Sequence, residues 1–335
     1  MALKAKQPEE VKATKPKFMI YGESGVGKTF FALDFPKPYL IDTEGGATRE
    51  QYQSKLKKVG GAYFGKEEGS QDFKAVINEV KELCTTKHEY KTLIIDSFTY
   101  LYMLEAAEAE AKGGSDFGRD KKAANVPTRQ LISQLEKCDL NVILICHSKQ
   151  SWERRGKDII NTGTTFDGYE KLEYILDLAI EIIKGGKTFY VKKSRITGLP
   201  QGDSFPLSYD KFADIYGRAV VEAEAVPVTL ATPQEVERLK QLVEGLKVEP
   251  ETVDKWLAKC GVESYEEMTH EQINSLIQYL VLIRLILKHK MIMIKFKNLL
   301  FFFSFTNLTF KIIKKLVSIL KMPLDSVKLI KIMKR

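Results

Sequence analysis

The chain is 335 residues long, 44% hydrophobic and 29% charged, with a formal net charge of +8. This supplies a sizeable core for one large α/β domain and a smaller appendage. Residues 281–335 carry thirteen Lys and Arg against one acid, Asp325, leaving 39 basic and 43 acidic side chains in residues 1–280; the overall charge is thereby excluded as an argument for nucleic-acid binding.

Residues 1–15 have no apolar stretch, which argues against a secretory signal and predicts a short disordered lead. Strand-like runs follow at Phe18–Tyr21, Tyr39–Asp42, Thr92–Asp96, Val142–Cys146, Ala179–Ile183 and Thr188–Lys192. TLIIDS and NVILICHS are nearly continuous apolar runs, as expected of central parallel strands buried on both faces. Helical composition at Tyr100–Lys112 and Val126–Cys138 separates them. Such alternation predicts an α/β core over residues 16–217, a mostly parallel twisted sheet between helices.

Residues 218–231 contain EAEAVPV and read as a linker. Residues 232–280 read as a small helical module: Thr232-Pro233-Gln234-Glu235 offers an N-cap, a Pro at the first helical position and a capping-box acid, and Thr269-His270-Glu271-Gln272 repeats the pattern. Residues 281–335 contain no Gly, Ala, Glu or Gln, and their longest uncharged run, Asn298–Phe310, is too short for a bilayer, which needs about 20 apolar residues. A basic amphipathic surface helix and translated AT-rich non-coding sequence both fit that segment, and no function is assigned to it. Cys84, Cys138, Cys146 and Cys260 show no CxxC spacing and are expected as buried or unremarkable thiols of a reducing cytosol.

Gly22-Glu23-Ser24-Gly25-Val26-Gly27-Lys28-Thr29 matches GxxxxGK[ST] in full, directly after a strand and at the opening of a helix. Glycines let backbone N–H groups converge on phosphates at a helix N-terminus. Lys28 is expected to reach the β- and γ-phosphates. The Thr29 hydroxyl is expected to ligate Mg²⁺, with Asp96 as the second metal-holding acid at the end of a buried strand. ATP and Mg²⁺ are the expected cofactors. Serine follows Asp96, so the water-activating acid must come from elsewhere.

LIDTEGG ends a strand with two acids beside a glycine pair, next in order after the phosphate loop's helix. In this the chain resembles the RecA-like P-loop ATPases, whose second strand delivers a glutamate to the γ-phosphate. AAA+ machines differ, since their glutamate usually follows the metal-binding aspartate directly. The resemblance implies that Glu44 orients the attacking water and that Asp42 supports the loop. NVILICHSK resembles the strand whose polar end senses the γ-phosphate, with His147 where the recombinases usually carry an amide; an imidazole donates a hydrogen bond but also titrates near neutrality.

QSWERRGKDIINTGTTFDGYEK resembles the recombinases' second DNA-binding loop, a Thr/Gly-rich segment running into a helix and then a strand. Trp152, Arg154, Arg155 and Lys157 suit bases and phosphates. KGGSDFGRDKKAANVPTRQL stands where the family's first DNA loop lies, with Phe117, Arg119, Lys121 and Lys122 as candidate contacts; a flexible lysine-rich connector fits it nearly as well. TFYVKKSRITG resembles the strand that offers cations to a neighbouring subunit's nucleotide, and Lys193 and Arg195 are its candidates, on the same side of a strand.

The resemblance covers roughly residues 16–217 and is closest to the phage-encoded RecA-like ATPases of single-strand annealing recombination. It implies a Mg²⁺-dependent ATPase that binds single-stranded DNA and assists phage-type homologous recombination or strand annealing. A cytoplasmic homo-oligomer with ATP at its subunit interfaces is expected, in a bacterial host if the chain is phage-encoded. A single-strand-binding or annealing protein is a candidate partner, and a membrane is not. The alternatives are a replicative helicase or helicase loader, a slow nucleotide-gated binding module, and a P-loop small-molecule kinase, against which Glu44 argues.

Overall fold

The computed structural model describes residues 13–113, 119–183 and 185–303; the side chains of residues 112–124, 155 and 289–303 lie outside that description. In chain order the elements begin β1 (Lys17–Gly22), α1 (Lys28–Ala32), β2 (Pro38–Asp42), α2 (Glu50–Val59), β3 (Ala62–Phe64), α3 (Phe73–Thr85) and β4 (Thr92–Asp96). They continue with α4 (Phe98–Gly113), α5 (Arg119–Lys137), β5 (Asn141–Arg155), β6 (Asp158–Asp167), α6 (Leu172–Ile175), β7 (Leu178–Ile183) and β8 (Thr188–Ser194). Last come β9 (Ser204–Pro206), α7 (Tyr209–Tyr216), α8 (Arg218–Val221), α9 (Pro233–Gly245), α10 (Pro250–Cys260) and α11 (His270–Phe303).

All six apolar runs read from the sequence are strands of one sheet, in the order β3-β2-β4-β5-β1-β7-β8-β9, with β6 paired to β5. The pairings from β3 through β7 are parallel, whereas β6, β8 and β9 join antiparallel. Side chains alternate across a strand, and that period of two divides the core. Met19, Tyr21, Ile41, Leu93, Ile95 and Leu144 face a cluster completed by α3, α4 and α5. Phe18, Ile20, Leu40, Ile94, Ile143 and Ile145 face a second cluster, completed by α1 and α7. The chain thus adopts the expected α/β fold of a RecA-like P-loop core, a mostly parallel sheet flanked by helices.

Cys84 at the end of α3 and Cys138 just after α5 meet as buried side chains inside the first cluster, with Cα atoms 4.8 Å apart, because α3 and α5 pack side by side there. Cys146 remains a buried thiol, and burial pushes its pKa up to about 12.

The described residues divide into two compact units, residues 13–232 with Pro250–His270, and Pro233–Glu249 with residues 271–303. Within the first, Gln134 Nε2 donates to the Gly261 carbonyl at 2.8 Å and Lys81 pairs with Glu267 at 2.8 Å, fastening the segment after α10 to α5 and α3. Within the second, α9 buries Val236, Leu239 and Leu242 and α11 buries Ile273, Ile277 and Leu280, both at helical spacing. Among the described residues no helix is long and apolar enough to cross a membrane.

Candidate active site

The phosphate loop follows β1 and opens α1, as its sequence context requires. Gly27, the N-cap of α1, has φ 91°, a left-handed conformation that glycine adopts without the steric cost of a Cβ. Lys28 Nζ donates to the carbonyls of Gly22 at 2.9 Å and Glu23 at 2.7 Å, so the ammonium lies across the loop that phosphates would enter. Burial lowers the Lys28 pKa, and the carboxylates of Asp96 and Glu44 oppose that shift.

Thr29 Oγ1 donates to Asp96 Oδ2 at 2.6 Å, bringing the two expected metal-binding oxygens together. Burial pushes the Asp96 pKa up to about 6; the Thr29 hydrogen bond opposes the shift, while Glu44 and Asp42 add to it. A buried carboxylate beside a hydroxyl, in a field dominated by other acids, fits a hard divalent cation such as Mg²⁺.

Glu44 hangs from a turn that its own strand organises. Asp42 ends β2 buried, and its carboxylate accepts from the backbone N–H groups of Gly45 (2.8 Å), Gly46 (3.1 Å) and Ala47 (2.7 Å). This triple acceptor is the loop support expected of Asp42. Thr43 locks the turn to the next strand, accepting from Ser97 N at 2.9 Å and donating to Ser97 O at 3.1 Å. The Glu44 carboxylate then receives the Ser97 hydroxyl and lies 2.7 Å from His147 Nε2. Ser97 stands out in the sequence only as the residue that replaces an expected glutamate, yet its hydroxyl holds the glutamate that arrives from β2.

These groups share one cleft of about 730 Å³, whose walls include Lys28, Thr29, Glu44, Asp96 and His147. Arg49 and Tyr52, at the start of α2, also line it. Neither carried a signal in the sequence, because an Arg and a Tyr at a charged helix start look like ordinary surface residues.

A family model described as an AAA domain matches residues 14–202, more than half of the chain. The chain belongs to the AAA domain family. No curated protein matches it. Among solved structures, the chain is similar to an ATPase from the type III secretion system of pathogenic bacteria, at 15% identity and TM-score 0.34, covering 84% of this chain and 90% of that one. It is also similar to the assembled ATPase EscN from the enteropathogenic E. coli type III secretion system, at 13% identity and TM-score 0.31, covering 79% and 67%.

The AAA domain of this chain is therefore a P-loop ATPase, with Ser97 directly after Asp96 and Glu44 in the turn that follows β2. Its phosphate loop is braced from the side by the β7–β8 turn. Gly186 has φ +81°, and a Cβ there would stand 2.5 Å from the Val26 carbonyl oxygen. Gly186→Ala is expected to push the loop aside and weaken ATP binding about tenfold or more, with a stability loss of about 1–3 kcal/mol. Nucleotide titration and thermal melting check this; unchanged affinity would mean that the turn does not brace the loop.

The second expected DNA loop takes a different form. β5 does not stop at Cys146 but continues to Arg155 and pairs with β6, from His147↔Asp167 to Arg155↔Asp158, with a bulge at Ser151/Trp152. The segment is a hairpin because Ile159, Ile160, Thr162, Thr164 and Thr165 favour strands and Gly156, at φ 67°, closes a two-residue turn. Trp152 is 61% exposed and Ile159 69%; Arg154 and Lys157 are exposed beside them. The Arg155 side chain lies outside the described residues. At the hairpin base, the Thr99 hydroxyl donates to Asp167 O and accepts from His147 N at 2.9 Å, and Lys149 pairs with Asp167 at 3.0 Å.

Of the first expected DNA loop, Phe117 lies outside the described residues. Arg119, Lys121 and Lys122 are in the first turns of α5 rather than in a loop, and their side chains also lie outside the description. The helix begins at Arg119, ahead of the Val126 start that composition indicated, and carries Pro127 within it. Lys193 and Arg195 are brought together but not into the cleft. Lys193 Nζ donates to Leu176 O, and Arg195 donates to Ile175 O at 3.1 Å and to Tyr174 O, so both cap the end of α6. Lys193 pairs with Ala179, which pairs with Met19, three residues short of Gly22 at the phosphate-loop end of β1.

Proposed function

We propose that the chain is a Mg²⁺-dependent ATPase that binds single-stranded DNA and assists phage-type recombination or strand annealing. One observation carries the DNA half of this reading. A single strand, β5, runs from the sheet through His147, which touches Glu44, to an exposed tip bearing Trp152 and Arg154.

In the ATP half, backbone N–H groups of the phosphate loop and Lys28 hold the phosphates. Thr29 and Asp96 would hold the Mg²⁺, which would neutralise phosphate charge when bound. Asp42 fixes the turn, and Glu44 orients the water against the γ-phosphorus. His147 and Ser97 both hold the Glu44 carboxylate at Oε1, so a shift of the β5 strand end is felt at the water.

On the hairpin, Trp152 offers a stacking face and Arg154 and Lys157 offer cations to the backbone, the combination that suits single strands of mixed sequence. Lys193 and Arg195 stand at the far end of the strands from their own phosphate loop, and serve a neighbouring subunit's nucleotide in a homo-oligomer if they exchange the α6 carbonyls for phosphate.

ATP hydrolysis is measured with and without single-stranded DNA. Turnover is expected to rise with DNA, and Trp152→Ala is expected to weaken DNA binding by about 5- to 150-fold, the equivalent of about 1–3 kcal/mol for one lost stack. Hydrolysis indifferent to DNA would remove the recombination reading and favour a partner-activated ATPase or a kinase.

A further inference from the structure

We propose that Arg49 is a catalytic cation of this cleft, acting on the γ-phosphate bound by its own chain; the inference rests on ATP hydrolysis in the cleft and is independent of the DNA reading. Phosphoryl transfer needs positive charge on the oxygens of the moving phosphoryl group beyond what a phosphate-loop lysine and Mg²⁺ provide. The two cations that the sequence offered to a neighbouring subunit, Lys193 and Arg195, lie on the α6 carbonyls at the other end of the strands and do not reach the cleft of their own chain.

Arg49 stands where such a charge is useful. It lines the same cleft as Lys28, Thr29, Glu44 and His147. Its guanidinium has no hydrogen bond or ion pair with any described residue, whereas Lys28, Lys149, Lys192, Lys193 and Arg195 are all engaged. Its backbone is held rigidly. Arg49 N donates to Gly46 O at 3.0 Å, Gln53 Nε2 returns to Ala47 O at 2.8 Å, and Gly46 and Ala47 are themselves tied to the Asp42 carboxylate. Glu44 and Arg49 therefore hang from one buttressed stretch of backbone, which fixes where both side chains start and leaves the guanidinium free to swing onto the phosphate oxygens.

In the reaction, the water oxygen forms a bond to the γ-phosphorus as the bond from that phosphorus to the β–γ bridging oxygen breaks. The bridging oxygen keeps the electron pair and leaves on ADP, the water's proton passes by way of Glu44 to the released phosphate, and Arg49 gives up no proton. Its five N–H donors match the equatorial oxygens, whose charge is shared between donor and product in the transition state.

Arg49→Ala is expected to lower kcat for ATP about 10³-fold with KM changed by less than about threefold, the signature of a charge felt in the transition state. Arg49→Lys is expected to recover part of the loss. A binding readout runs in parallel: aluminium fluoride should tighten ADP binding to wild type and not to Arg49→Ala, while ADP alone binds both equally. The exposed, unpaired side chain should leave the thermal melt unchanged, so a misfolded variant is recognised directly, and Arg49→Gln repeats the test with a neutral side chain of similar length.

Mixing Glu44→Gln with Arg49→Ala decides whose nucleotide is served. Action within one chain predicts no recovery of turnover, since every cleft lacks one of the two groups. Recovery would place Arg49 in the neighbour's cleft and overturn the assignment. Wild-type turnover undiminished in Arg49→Ala would overturn it too, leaving the ATPase standing. A wild type that neither hydrolyses ATP nor responds to aluminium fluoride would overturn both.

Discussion

Glu44→Gln is expected to lower ATP turnover by about 10²–10⁴-fold while ATP still binds, the size of effect that a lost general base produces. The amide keeps the length of the side chain and can still meet the Ser97 hydroxyl and His147 Nε2, both of which lie on Glu44 Oε1. The turn beneath it is held by Asp42 and Thr43, not by Glu44, so the fold should not change. Only the capacity to polarise water is removed. Single-turnover hydrolysis and nucleotide titration on the same preparation separate the two quantities. Unchanged turnover would move the water-orienting role to another acid of the cleft, with Asp96 next in line despite its metal assignment.

Asp96→Asn is expected to abolish Mg²⁺-dependent turnover and yet to stabilise the nucleotide-free protein. Burial holds the Asp96 pKa at about 6 in the folded chain against 3.8 for an ordinary aspartate. Between those values the folded chain keeps a proton that the unfolded chain has released, so stability falls as pH rises through that window. Above it the full cost applies, up to about 3 kcal/mol. The neutral amide escapes this cost and can still accept from Thr29 Oγ1. The variant should melt higher than wild type at pH 7, and the difference should close as pH falls below about 4. A lower melt at pH 7 would show that the carboxylate is satisfied without a cation, and would weaken the case for a metal there.

The legible part of the site is the part that is continuous in sequence. Gly22 to Thr29 is legible because eight neighbouring residues form one loop, Asp96 because it ends an apolar strand run, and Glu44 only through the family resemblance. The same apolar runs made the sheet readable, since burial on both faces leaves a strand little choice of composition. The contacts that organise the site are of another kind. His147 meets Glu44 across 103 positions and Ser97 meets it across 53, and no local pattern marks such partners. The β5–β6 hairpin was read as a loop because its strands are charged and Thr-rich where they leave the core, so the apolar signal stops at Cys146 although the hydrogen-bond ladder does not. Arg49 shows the same gap: its significance is positional, conferred by the turn that Asp42 caps.

The unbroken run of β5 also imposes a parity rule on any redesign of this molecule. Side chains on a strand change face at every step, so inserting or deleting one residue between His147 and the tip would exchange the face that bears Trp152 and Arg154 for the one that bears Glu153. The bulge at Ser151/Trp152 shows that the hairpin already carries one such offset. Tips transplanted from other proteins must therefore match an odd or even count as well as a sequence. Two-residue changes should be tolerated where one-residue changes are not.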